Sequence, residues 1–486
     1  MGTGSSSIWG SSGGTSARTR ARLVALVALL PLALAACTDT ADPEPEPTTA
    51  PAPTETTPAE QISLTFGVWG SPGEIEAYER AVDTYNRVHQ TVEVDLVVWD
   101  DQETASRAVE DGQVPDVFLL DRQDLTALRE GDLNQPVSDL LDERDIEFGD
   151  GYQRMGLQAF SGEGALQCMP HGTSPMVIYY NTDLIDFGRM EQRGLAVPEP
   201  GGRWNFSQFS EAAEFATRPR RNTRGVHIEP TLRALAPFVR AGGGSLFDNP
   251  MDPTTLTLSD EDGREGLETL LQLLRSPHLT PTPEQLERRT PLELFGKGRV
   301  AMIAGFRDMV PELREMPGLR FDVMPLPSIS SRSTVGDLTG MCLARDTEHT
   351  SSAADFLAYI VSADAVGEVA RAGRMVPANL EVAESVAFLQ PGLQPAHAGV
   401  FNVAVRDIVL SPLLDTWDEL DAAVSPLLHE MLTDPLLADL GALTEEIDET
   451  SRTVLSPEDG SEDPDEESDG GEPDDGETDQ SGPGDE

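Results

Sequence analysis

Between residues 62 and 121 the chain repeats a pattern that few folds accommodate. In "QISLTFGVWG" the residues Ile62, Leu64, Phe66 and Val68 alternate as one face of a strand does, and Ile75, Tyr78, Ala81, Val82, Tyr85 and Val88 then recur at helical spacing. Val92, Val94, Leu96 and Val98 alternate again, a short helical piece follows around Ala105 to Val109, and "VPDVFLLD" reads as a third, more buried strand. Strand and helix taken in turn predict a mostly parallel α/β sheet with right-handed crossovers. Ligands of such sheets lie beyond the carboxyl ends of the strands. Trp69, Trp99 or Asp100, and Asp121 fall at those three ends.

What precedes this body reads as an address. Arg18, Arg20 and Arg22 form a basic cluster, the run Leu23 to Leu34 is apolar, and "LALAACTDT" ends it on Cys37. A membrane-spanning helix needs about 20 apolar residues, so this run is too short to remain as one. The stretch Leu34-Ala35-Ala36-Cys37 resembles the lipobox of bacterial lipoproteins, in which cleavage precedes the cysteine and the new terminus is acylated. Residues 1–36 are therefore expected to be a lipoprotein signal peptide and Cys37 a lipidated N-terminus at the outer face of the cell membrane; an ordinary signal peptide is the alternative. Residues 37–61, rich in Pro, Thr and Glu, read as an extended tether, and 453–486, acidic above all from Pro457 onward, as a solvated tail. The body from 62 to 452 exceeds what one hydrophobic core usually serves, which predicts two lobes.

Charge and motifs exclude several functions. With 34 basic against 85 acidic residues the formal charge is −51, which leaves no basic face for nucleic acid or for an electrostatic hold on anionic lipid. The seven histidines include no pair three to five residues apart and no CxxC occurs, so neither a metal nor any other cofactor is expected. "GGGSLF" and "GTSPM" lack the closing glycine of a serine-hydrolase elbow, and no Lys-Ser or Lys-Thr follows "AGGGSLFDN" as a phosphate loop requires. Paired carboxylates could serve a glycosidase, yet 85 acids supply such pairs by abundance alone. No enzyme is expected.

Further along, the chain resembles the extracellular solute-binding proteins of bacterial ABC importers, in particular the sugar-binding branch (family 1). The resemblance is carried in order by "LTFGVWGSPGEIEAYERAVDTYN", "GQVPDVFLLD", "PMVIYYNTDLID", "RWNFSQFSEAA", "LELFGKGRVAMIAGF", "VMPLP" and "SSAADFLAYIVSADAVGEVARAGRMVPAN". Thr182 stands where the family usually has Lys.

That resemblance implies the type II periplasmic-binding-protein fold, two α/β lobes with the ligand between them. Lobe one would take about 62–173 and 340–395, lobe two about 177–336 and 396–452. Crossings would lie near Gly172 to Met176, Asp337 to Gly340 and Gln394 to Gly399. It also implies that the stretches holding Cys168 and Cys342 run close together, and an exported protein matures where a disulfide between them would persist. Sugars are held by aromatic faces and planar polar groups, and the implied ligand-binding set is Trp69, Asp121, Arg122, Tyr180, Phe306, Asp337, Arg374 and Trp417. Tyr179 and Tyr180 point to opposite sides of a strand, so only one of them can face the cleft; Trp99 and Trp204 are weaker candidates. Each aromatic has a place in a lobe core as its alternative. The implied function is a monomeric, lipid-anchored binding component that captures a sugar or oligosaccharide and delivers it to ABC permease subunits. A sensing lipoprotein without a transporter and a surface carbohydrate hydrolase are the alternatives.

Overall fold

The structure is a computed structural model and describes residues 61–146, 148–199, 201–433 and 439–457. The signal segment, Cys37 and the tether up to residue 60 lie outside the described residues, as does the tail from 458.

The opening rhythm folds as a strand–helix–strand unit. Strand β1 (Ile62–Val68) leads through a helix capped at Ser71, α1 (Pro72–Val88), to β2 (Val92–Val98), which pairs with β1 in parallel from Ile62↔Val92 to Val68↔Val98. Helix α1 lays Tyr78 and Tyr85 on the sheet, and the Phe66 ring meets the Tyr78 and Phe356 rings edge-on at 5.8 and 5.1 Å. A Cβ on Gly67 would stand 2.5 Å from the Trp99 indole, so only glycine lets that ring lie across β1. Helix α2 (Gln102–Glu110), capped by Asp101, then leads to β3 (Val117–Asp121), whose five residues are all buried beside β1. At the sheet edge β2 exposes Glu93 and Asp95, charges that discourage pairing with another chain.

The complete sheet is mixed, whereas the sequence predicts a mostly parallel one. Strand Gly336–Ala344 lies antiparallel to β3, and Met169–Pro175 lies antiparallel to Gly336–Ala344 on its other side. The physical reason is a second sheet. Met169–Pro175 leaves the first sheet at the end where Asp121 sits and passes through Met176 straight into Val177–Asn181, the centre of a four-stranded sheet with Phe321–Met324, Val300–Gly305 and Arg224–His227. Gly336–Ala344 brings the chain back at the same end, Gly336 opposite Pro175 and Thr339 opposite Asp121. Because it enters where the outgoing strand left, the returning strand runs against both of its neighbours.

Two hydrophobic clusters support the sheets. One fills the first sheet and continues onto one face of the second through Tyr179, Phe321 and Phe401. The other covers the opposite face with Ile178, Tyr180 and Met302, under the helices Phe206–Ala216, Leu232–Gly242, Glu261–Leu274 and Trp417–Thr433. The glycines of "AGGGSLF" make a close helix contact: a Cβ on Gly242 would lie 2.4 Å from the Gly266 Cα.

Three details differ from expectation. Asp337 is already paired inside the first sheet, so the second crossing falls before it, between Met324 and Gly336. The third passage is drawn out: Gln394 accepts from Phe321 N at 2.6 Å and His397 sits on Asp322, yet the helix Gly399–Val405, expected in lobe two, packs on Met169–Pro175. The final helix, Leu440–Leu455, runs past residue 452, with Val454 and Leu455 packed against the second cluster. Cys168 and Cys342 are joined by a disulfide, their Cα atoms 4.4 Å apart, which ties the start of the outgoing strand to the middle of the returning one.

Candidate functional site

Because the chain leaves and re-enters the first sheet at its carboxyl end, the side chains gathered there face the second sheet. They line a cavity of about 480 Å³, within the size range of small-molecule sites. Trp69, half-buried, stands where β1 gives way to its loop, and Ser71 and Glu74 belong to the first turn of α1. Asp121 closes β3, while Asp337 and Thr339 come from the returning strand. Arg374 follows Gly373, whose φ of +82° is a backbone turn that favours glycine. The second lobe contributes Asp308.

Ion pairs cross the gap. Arg374 reaches Glu74 at 3.5 Å and Asp308 at 3.6 Å, one carboxylate on each side. Glu74 is itself fixed, accepting from the Ser71 backbone N–H at 2.9 Å and the Ser71 hydroxyl at 2.7 Å. Ser174 Oγ, on the outgoing strand, accepts from the backbone N–H of Arg307 at 3.0 Å. Arg233 pairs with Asp337 and lays its guanidinium 4.1 Å from the centre of the Phe306 ring.

Asp121 is the one buried acid among the residues lining the larger cavity. Only 5% exposed, it accepts from Gln123 N at 3.0 Å, and among the described residues no basic side chain lies within ion-pair distance of it. Burial pushes its carboxyl up to about 7, helped by the negative charge of Asp337. His171 lies behind the same cavity with Nε2 on the Tyr78 hydroxyl at 2.9 Å, and burial pulls it down to about 4, so it is neutral at physiological pH. A smaller cavity of about 60 Å³ adjoins this one and shares Asp121 and Asp337 with it; Arg122, Arg233 and Trp417 line it too. Arg122 donates to the Ser411 carbonyl at 2.9 Å. Trp417 starts its helix with its ring 6.0 Å from that of Phe247.

The structure thus brings six of the eight sequence-predicted ligand residues to these two adjoining cavities: Trp69, Asp121, Asp337 and Arg374 to the larger, Arg122 and Trp417 to the smaller. Phe306 lines neither and reaches the site only by supporting Arg233. Tyr180 is a correction. It is 4% exposed and packed in the second cluster with its ring 5.4 Å from Phe187, because strand Val177–Asn181 is covered on both faces. Tyr179 takes the opposite face and donates to the Phe306 carbonyl at 2.6 Å, so neither tyrosine faces the cleft. Trp204 is buried and donates to the Pro325 carbonyl at 2.7 Å.

Sequence reasoning missed Glu74, His171, Arg233 and Asp308. Glu74 had a signal, since "SPGE" has the Ser-x-x-Glu spacing of a capping box; the others had none. It also missed Arg307, which is fully buried between the rings of Phe388 and Phe401 at 5.2 and 4.8 Å, its three guanidinium nitrogens without a hydrogen-bond partner. Burial lowers that side chain to about 10.

Comparison with known proteins bears on the fold that frames this site. The family model of the bacterial extracellular solute-binding proteins matches residues 78–394, and the chain belongs to that family. No match was found among curated proteins. Among solved structures, MalE, the sugar-binding protein of Xanthomonas citri, is 14% identical with a TM-score of 0.67 over 82% of this chain and 98% of its own. An ABC substrate-binding protein of Listeria monocytogenes, solved with cycloalternan, is 18% identical with a TM-score of 0.65, covering 81% and 99%. The GacH receptor of Streptomyces glaucescens, solved unliganded and with acarbose, is 17% identical at 0.62, covering 81% and 98%. At these identities the likeness is one of fold. The protein has the two-lobed α/β architecture of the type II periplasmic binding proteins, and its family is an exported one.

Proposed function

We propose that this protein is the membrane-anchored, substrate-binding component of an ABC importer, capturing a carbohydrate in the cleft and presenting it to a permease. The observation that carries the reading is the cavity at the carboxyl end of the first sheet, where an indole, Trp69, stands beside planar polar groups from both lobes. An aromatic face stacks on the apolar C–H surface of a sugar ring, and carboxylates and guanidinium groups bond its hydroxyls. Of the solved structures of the same fold, one is named a sugar-binding protein and another is a substrate-binding protein in complex with cycloalternan. The anchor is the acylated Cys37, the tether holds the domain clear of the membrane, and the protein works as a monomer that binds without turnover.

The ligand acts by touching both lobes. With Trp69, Asp121 and Arg374 on one side and Asp308 on the other, a solute gains its full set of contacts only when the lobes approach, and that difference in contact selects the closed form. A thermal-shift panel of mono- and oligosaccharides tests the reading: a solute at 100 times its dissociation constant adds about 2.7 kcal/mol of stability. A panel that leaves the melting temperature unmoved, or the release of cleaved oligosaccharide, would count against it.

A further inference from the structure

The cavity carries more negative charge than a neutral sugar can use. Its lining holds the carboxyls of Glu74, Asp100, Asp101, Asp121, Asp308 and Asp337, and the one arginine among the lining residues is Arg374. Arg374 is taken up by Glu74 and Asp308, Asp337 is paired with Arg233, and Asp101 caps α2 through Thr104 N at 2.8 Å. Asp100 is exposed to solvent, which leaves Asp121, 5% exposed and held by the N–H of Gln123 in its own turn. Beside it His171, 2% exposed, keeps its Nδ1 without a hydrogen-bond partner.

Resting on the carbohydrate reading, we infer that the solute bears a protonated amine, an amino sugar or aminated oligosaccharide, and that Asp121 is its counter-ion. When the lobes close over a neutral ligand, a hydroxyl can donate to Asp121, but the buried charge stays uncompensated unless the carboxyl takes up a proton, and either carries a cost. An ammonium group removes that conflict, because it supplies the opposite charge and donates to the free carboxylate oxygen in one contact. Burial raises this carboxyl to about 7 although Arg233, committed to Asp337, pulls it the other way. The formal charge of −51 adds a field that draws cationic solutes towards the molecule and repels phosphorylated or carboxylated ones.

The test is calorimetry on the wild-type protein with three matched ligands: β-1,4-linked glucosamine dimer, its N-acetylated form and cellobiose, which share a skeleton and differ in charge. The inference expects the free amine to bind at least ~10-fold more tightly than either neutral partner. Asp121→Asn, checked for an unchanged far-UV spectrum, should cut that advantage to under ~3-fold. The wild-type comparison stands without the variant. Equal or tighter binding of cellobiose or the acetylated dimer overturns the amine and leaves the carbohydrate function standing; an amine preference that survives in Asp121→Asn removes Asp121 from the role. If none of the three binds, the amine inference falls, and the carbohydrate reading stands or falls on the saccharide panel.

Discussion

At the scale of single residues, two side chains set what the cleft can do. Trp69 is half-buried, one part of its ring against the first core and another facing the cavity. Trp69→Ala is expected to weaken carbohydrate binding by about 1–3 kcal/mol through the lost stacking face. A large fall in the ligand-free melting temperature with unchanged affinity would instead make it a core residue. Asp121 makes a pH prediction. Its native carboxyl titrates near 7, and an unfolded aspartate near ~3.9, so between those values the native state holds a proton that the unfolded state has lost. This group therefore makes stability fall as pH rises through that window, with a slope no steeper than about 1.4 kcal/mol per pH unit. Urea unfolding at pH 5, 6 and 7 should show Asp121→Asn gaining on the wild type as pH rises; parallel curves would mean that Asp121 is ionised throughout. Both positions were legible in the sequence because a strand end can be read from alternation, and a ligand of an α/β sheet sits at strand ends. Tyr180 was misread for the complementary reason: alternation tells that neighbours point to opposite faces, and it cannot tell that both faces are covered.

Secondary-structure elements meet most tightly where glycines replace side chains. Helices Leu232–Gly242 and Glu261–Leu274 touch through Gly242 and Gly266, with the Phe238 carbonyl 2.5 Å from where a Gly266 Cβ would stand. Gly242→Val should separate them and cost about 1–3 kcal/mol or more, read as a lower urea midpoint at an unchanged slope. A midpoint equal to that of the wild type would mean that the pair tolerates the added volume. The Cys168–Cys342 disulfide closes a loop with a sequence separation of 174, and opening it by a double Ser substitution should cost about 2–5 kcal/mol. Thiol labelling of the unfolded, unreduced protein checks the bond itself, since neither cysteine should react. Sequence reasoning located the first three strands well because their pairing partners are near in the chain. The mixed character of the sheet was not legible, since it depends on a strand that returns after a long excursion through the second lobe, and β3 carries no mark of which neighbour will arrive or in which direction.

For the whole molecule the expectation is a shape change on binding. X-ray scattering with and without a saturating carbohydrate should show a smaller radius of gyration for the complex, and superimposable curves would remove closure from the account. How the lobes would turn is written in the backbone between them. Met176 N donates to the Val335 carbonyl at 2.9 Å, Thr334 N to Asp407 at 2.8 Å, and Val409 N to Thr334 at 3.0 Å. Three chain segments thus stand side by side, hydrogen-bonded into a single narrow ribbon at the floor of the cleft. Three separate tethers would let the lobes slide, twist and splay independently, but a ribbon resists shear in its own plane and bends readily across it. Such a ribbon favours opening about one axis, like the cover of a book on its spine, and two label pairs at separate points across the cleft should then change their distances together.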